Sequence, residues 1–154
     1  MEECNTWYNC PVHSFQELRR RDNKKLRVDI FEEFCVLYLK YIKEYNNVYL
    51  LKDVPGELLS KLSLGKRDMG IDIVCEHNGK FYAVQCKYKK PSRSKVNRLG
   101  WKSLSTFYGL CLRTGPWEKF IVMTTCECVR HQGKKTSTDV SWCIGTFRKI
   151  SKDE

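Results

Sequence analysis

Three side chains within "GIDIVCEHNGKFYAVQCK", residues 70–87, could act together in one piece of chemistry. They are Asp72, Gln85 and Lys87. They bring a carboxylate, an amide oxygen and an ammonium group to an otherwise apolar stretch. Asn78-Gly79 lies between them, and Asn-Gly favours a two-residue hairpin turn because both turn positions need positive φ. Folded there, Glu76 faces Phe81, Val74 faces Ala83 and Asp72 faces Gln85. Strand side chains alternate from face to face, so Asp72, Gln85 and Lys87 are expected together on one side. Ile71, Ile73, Val84 and Cys86 are expected on the other. Opposed Cβ atoms lie roughly 5 Å apart, close enough to share a metal ion.

A hard cation such as Mg²⁺ takes oxygen ligands, typically one or two carboxylates with waters and phosphate oxygens. Asp72, the amide oxygen of Gln85 and the backbone carbonyl of Cys86 offer such a set. Lys87 is then placed to hold a phosphate oxygen or the attacking water. The ion would lower the pKa of that water and stabilise charge on phosphorus. The competing reading is a cross-strand polar pair on a solvated sheet face, with Lys87 merely exposed.

The elements that must position these residues follow from the flanking patterns. Pro11 and Ser14 open a short helix, "SFQELRRR", behind a loose first dozen residues. Residues 25–45 place Leu26, Ile30, Phe34, Leu37 and Tyr41 at helical spacing. Val28, Cys35, Val36 and Leu39 make the other side apolar too, which predicts a largely buried helix. "VYLLKDV" reads as a strand and "ELLSKLSLG" as a short helix or loop. "VNRLGWKSLSTFYGLCL" reads as a helix with Leu99, Ser103, Phe107 and Leu110 near one side, ended by Gly115-Pro116. "KFIVMTT" is a buried strand and "VSWCIGTF" a last one. The order is helix, three strands, helix, strand, with a C-terminal addition: a mixed α/β sandwich. No linker rich in Gly, Pro or Ser divides the 154 residues, so one domain is expected, with its core at about 25–147.

Charge points to the partner. The chain carries 28 Lys+Arg against 18 Asp+Glu, a net +10, which favours a polyanion. Between Lys87 and Lys102 there are seven basic residues and no acid; those beyond Lys87 are Lys89, Lys90, Arg93, Lys95, Arg98 and Lys102. A second cluster, Arg19-Arg20-Arg21 with Lys24, Lys25 and Arg27, precedes the first long apolar segment. Nucleic acid is the expected partner, held through counterion release. Tyr88, Trp101 and Tyr108 could stack on bases if exposed, but lone aromatics read first as core. No apolar run approaches the roughly 20 residues that cross a bilayer, so no membrane is expected. The acidic, polar start is not that of a signal or transit peptide. Nine scattered cysteines, an odd number, suit reduced thiols and an intracellular protein, in cytoplasm or nucleus. Cys126-x-Cys128-x-x-His131 with Cys143 is too tightly spaced for the usual zinc knuckle, and Cys126 continues an apolar strand. Cys4, Cys10 and His13 are weaker still as metal ligands. No Gly-rich loop with Lys-Ser/Thr is present, which excludes a P-loop ATPase.

The pattern "DMGIDIV…FYAVQCKYKK" resembles the restriction-endonuclease-like PD-(D/E)XK nuclease superfamily. It is nearest the Mrr-type branch, in which Gln replaces the second acid to give Gln-x-Lys. With "VYLLKDVP" before it and "FIVMTT" after it, the likeness covers roughly residues 28–128. Similar domains occur alone or fused to helicases in phages, large DNA viruses and bacteria. The resemblance implies a restriction-endonuclease-like α/β core: helix–three strands–helix–strand, a mixed sheet flanked by helices. It makes Asp72 the metal-binding aspartate, Gln85 the variant second ligand and Lys87 the catalytic lysine. The family often adds a glutamate on the first helix; "IFEEF" offers Glu32, in line with Val28, Cys35 and Leu39, with Glu33 as rival. Asp68, just before Gly70, would support the ligands from behind.

The leading expectation is therefore a Mg²⁺-dependent DNA endonuclease, with Mn²⁺ as a substitute. A second is a nuclease-like module without activity that holds nucleic acid for a helicase or a fused helicase domain. A third is a resolvase that cuts branched DNA of the Holliday-junction type as a homodimer.

Overall fold

The computed structural model describes residues 24–67, 70–131, 133 and 136–151. The helix expected at residues 14–21, the loose N-terminus and Asp68 lie outside the described residues.

A hairpin sets the frame. β2 (Ile73–His77) and β3 (Lys80–Lys87) pair antiparallel, with Ile73 opposite Val84 and His77 opposite Lys80. Asn78 and Gly79 take φ of 51° and 76°, the left-handed values that the two-residue turn needs. β1 (Asn47–Leu50) adds antiparallel to β2 on the outer side. On the inner side β5 (Lys119–Thr124) runs parallel to β3, and β7 (Asp139–Trp142) runs parallel to β5. The order β1-β2-β3-β5-β7 is a mixed five-stranded sheet. A second, two-stranded sheet joins β4 (Arg98–Leu99) to β6 (Cys128–Val129).

Helices cover both faces. α1 (Lys24–Leu37), which continues as a π-helical turn over Tyr38–Ile42, lies on one side. It buries Ile30, Phe31, Phe34, Cys35, Tyr38 and Leu39 against Ile73, Cys75, Val84, Cys86, Ile121 and Met123. α2 (Gly56–Leu62) and α3 (Trp101–Arg113) lie on the other side. They enclose Val74, Phe81, Ala83 and Val122 with Leu59, Leu62, Leu104 and Phe107. The short α4 (Ile144–Arg148) closes the α1 layer, with Phe147 edge-on to Phe34 at 5.2 Å.

Four expectations need correction. α1 is not apolar all round: the sheet takes one stripe, and Leu26 and Ile42 are left 38% and 44% exposed. α3 begins only at Trp101, because Arg98 and Leu99, expected in the helix, pair with β6 as β4. Its buried positions are Leu104, Phe107, Tyr108 and Cys111, while Ser103 faces solvent. "VSWCIGTF" is strand only to Trp142; Ile144 and Phe147, three apart, turn inward together on a helix. Ile71 packs in the α3 layer and not beside Ile73, because it precedes the regular strand and is free of its alternation.

Candidate active site

Asp72 sits at the rim where β2 begins and β3 ends. Its backbone is anchored on both sides: its N–H donates to Val84 O at 2.9 Å, and its carbonyl accepts from Leu51 N at 3.0 Å. The side chain turns toward β3, where Oδ2 accepts two hydrogen bonds of 2.8 Å, from Gln85 Nε2 and from the backbone N–H of Cys86. Gln85 is only 6% exposed, which rules out a polar pair on a solvated sheet face. In an extended strand a residue's N–H and C=O leave along the same edge, so the Cys86 carbonyl also projects toward Asp72. Lys87 ends β3, where its carbonyl accepts from Thr124 Oγ1 at 2.8 Å and Thr125 N at 3.2 Å. The strand end that carries Gln85 and Lys87 is thereby tied to β5.

Alternation from Phe81 and Ala83 sends Gln85 and Lys87 to the α3 side, whereas α1 brings its acids from the opposite side. A cleft of about 460 Å³ opens there, lined by Asp29, Glu32, Glu33 and Asp72 together with Lys52 and Lys66, but not by Gln85 or Lys87. Leu50, Leu51 and Ile71 provide its apolar wall. Both rival glutamates reach this cleft. They differ in exposure: Glu33 is exposed, Glu32 half-buried.

Burial raises the pKa of Glu32 from its ordinary 4.5 to about 7, helped by the charges of Asp72 and then Asp29 and opposed by Lys52. Asp72 is also raised by burial, against the pull of the Cys86 N–H, the Lys87 charge and the Gln85 amide. Two carboxylates on separate elements thus lose stability as anions, both through burial and Glu32 also through the charge of Asp72. Behind them the Cys35 and Cys86 thiols hydrogen-bond, and burial pushes both up, so they remain S–H at neutral pH.

A restriction endonuclease family matches residues 39–148 of the chain. The chain belongs to this restriction endonuclease family. The fold agrees with it, as a mixed sheet flanked by helices. The match spans Asp72, Gln85 and Lys87 but begins after Glu32 and Glu33, so the family's shared segment and the first helix meet only in three dimensions. No curated protein and no solved structure matches the chain.

Among the described residues no three His, Cys, Asp or Glu side chains converge as a ready metal cluster, and Cys126, Cys128 and Cys143 form no disulfide. No helix among them is long and apolar enough to cross a membrane. Lys89, Lys90, Arg93, Lys95, Arg98 and Lys102 are all exposed, on the loop and first helical turn that follow β3. Three cleft residues escaped sequence reasoning: Asp29, Lys52 and Lys66. Asp29 could have been found as the residue one turn before Glu32. The two lysines had no such signal, since their approach depends on the path of the chain around β1 and α2.

Proposed function

We propose that this chain is a Mg²⁺-dependent deoxyribonuclease, a phosphodiester hydrolase built as one domain over residues 1–154. The reading rests on the meeting of Glu32 and Asp72 at one cleft, where burial raises both carboxyls and the charge of Asp72 adds to the rise at Glu32. Such a pair is uncomfortable alone and fits a hard cation that takes oxygen ligands. Asp72 and Glu32 would hold the ion, with the Gln85 amide oxygen and the Cys86 carbonyl as neutral ligands, and Mn²⁺ would substitute. Glu33, at the same cleft but exposed, is the weaker candidate. When bound, the ion would lower the pKa of a water and offset charge developing on the phosphate.

The remaining groups have separate roles. Lys87 orients the attacking water or a phosphate oxygen with its ammonium group. Its position is kept by the Thr124 and Thr125 bonds to its carbonyl. Lys52 and Lys66 line the cleft together with the acids, where a DNA phosphate would otherwise be repelled. The basic residues from Lys89 to Lys102 grip the DNA backbone on either side of the cut, which positions the duplex without reading its sequence.

Cleavage of plasmid and branched DNA, with and without Mg²⁺, tests the reading. Lys87→Ala and Asp72→Asn should each slow cutting by at least about 100-fold while leaving DNA binding in place. Unchanged cleavage by Lys87→Ala would remove it from the mechanism. Salt-sensitive binding without any cutting by the unaltered protein would make the chain a binding module.

A further inference from the structure

Trp101, the first residue of α3, is 40% exposed. Its ring lies flat against Tyr108, with centroids 5.6 Å apart and planes within 11°. Tyr108 is itself buried and contacts Phe107 and Phe120, so Trp101 is supported from below and open above. The Tyr108 hydroxyl is buried without a hydrogen bond among the described residues, so what this residue contributes is its ring.

The surroundings of that open face are cationic. Arg98 and Lys102 flank Trp101 in the chain and are exposed. The Arg130 N–H donates to Leu99 O at 2.8 Å, which seats a third exposed cation at the same corner. Two acids oppose them: Glu127, whose N–H donates to Asn97 O at 3.0 Å, and Asp139, whose charge reaches Tyr108. The corner connects to the strand end of Lys87, since Thr125 N donates to Lys87 O and, two residues on, Glu127 N donates to Asn97 O. Tyr108 extends from it to Phe120, near the start of β5. β3 and β5 end at the edge that carries Lys87, β2 starts there, and β4 and β6 continue from those strand ends.

We propose that Trp101, backed by Tyr108, is a stacking platform for an unpaired base of the DNA. The preferred substrate class is then DNA with single-stranded nucleotides beside the cut, as at a branch, gap or overhang. This rests on the nuclease reading above and adds the form of the substrate to it. Stacking asks only for a π-face, which every base offers whatever its identity. Arg98, Lys102 and Arg130 hold the flanking phosphates. A blunt duplex keeps its bases stacked on one another and leaves Trp101 unused.

The test compares a labelled oligothymidylate with a blunt duplex of equal length by fluorescence anisotropy, in chelator so that nothing is cut. Trp101→Ala should weaken single-strand binding by about 5- to 150-fold and leave the duplex within about twofold. Trp101→Leu keeps an apolar cover over Tyr108 and guards against a folding artefact; it should lose as much as alanine, whereas Trp101→Phe should retain most of the affinity. Leucine binding as well as phenylalanine, or equal losses on both probes, would overturn the platform and leave the nuclease reading standing. An unaltered protein that binds neither probe would overturn both.

Discussion

Glu32 is poised to report on the site without any turnover. In metal-free protein its folded value is about 7 against an ordinary 4.5, so the fold prefers it protonated. Its stabilising share is full below the unfolded value and is lost as pH rises through the folded one. Asp72, raised in the same sense, adds to that loss. Glu32→Gln removes Glu32's part, so in chelator the variant's Tm should gain on the unaltered protein from about pH 5 to about pH 8. A constant gap would mean that the fold does not raise Glu32 above its ordinary value. Saturating Mg²⁺ should reverse the order, since only the carboxylate rewards the ion. Gln85 offers a complementary change. Its Nε2 donates to Asp72 Oδ2 at 2.8 Å, and a carboxylate in its place would repel that oxygen. Gln85→Glu should therefore lower the metal-free Tm at neutral pH and enlarge the rise on adding Mg²⁺; a smaller rise than in the unaltered protein would take residue 85 out of the ligand set. At this scale the sequence put Gln85 and Lys87 on one face of β3 through strand period, but not Asp72, which precedes the regular strand and meets Gln85 through its side chain. It was silent on Asp29, Lys52 and Lys66, which converge only through the tertiary path of α1, β1 and α2.

The hairpin carries Gln85 and Lys87, and its register is regular from Ile73–Val84 to His77–Lys80, as the positive φ of the Asn78-Gly79 turn allows. Asp72 falls outside that pairing: its N–H donates to the carbonyl of Val84, which already faces Ile73, and its contact with Gln85 is made by the side chains. Gly79 holds φ of 76° with open space around it, so backbone conformation and not packing is what a larger side chain would violate. Gly79→Val should cost about 1–2 kcal/mol, read as a shift in the urea midpoint at unchanged slope. A neutral substitution would show that the turn is not held in the left-handed region. Elsewhere the elements were harder to read. α1 has apolar residues on several sides, so periodicity alone does not choose Ile30, Phe31, Phe34 and Cys35 over Leu26 and Tyr41; the sheet makes that choice. β4 and β6 have two residues each and exist only because the ends of β3 and β5 bring them together. The helix in "VSWCIGTF" was hidden for a related reason, since Phe147 finds its partners on α1, more than a hundred residues earlier in the chain.

Across the whole molecule, a net charge of +10 surrounds a cleft rich in carboxylates. On the proposed reading the two signs serve different steps: exposed cations after β3 would act on the DNA backbone over a distance, and the acids only at contact with an ion. Their contributions should therefore separate experimentally. Replacing Lys89, Lys90 and Lys95 with alanine removes three exposed charges and none of the buried contacts, so Tm should hardly move. Duplex binding should weaken equally for unrelated sequences. The slope of log affinity against log salt should become shallower by about 0.9 for each of these lysines that neutralises a phosphate. At low salt with DNA in excess, the cutting rate should recover, because Asp72, Gln85, Glu32 and Lys87 are intact. A slope that stays the same would place the DNA on another face, and the second basic cluster, Arg19-Arg20-Arg21, would be the next to neutralise. A rate that fails to recover at saturation would instead make one of the three lysines part of the chemical step.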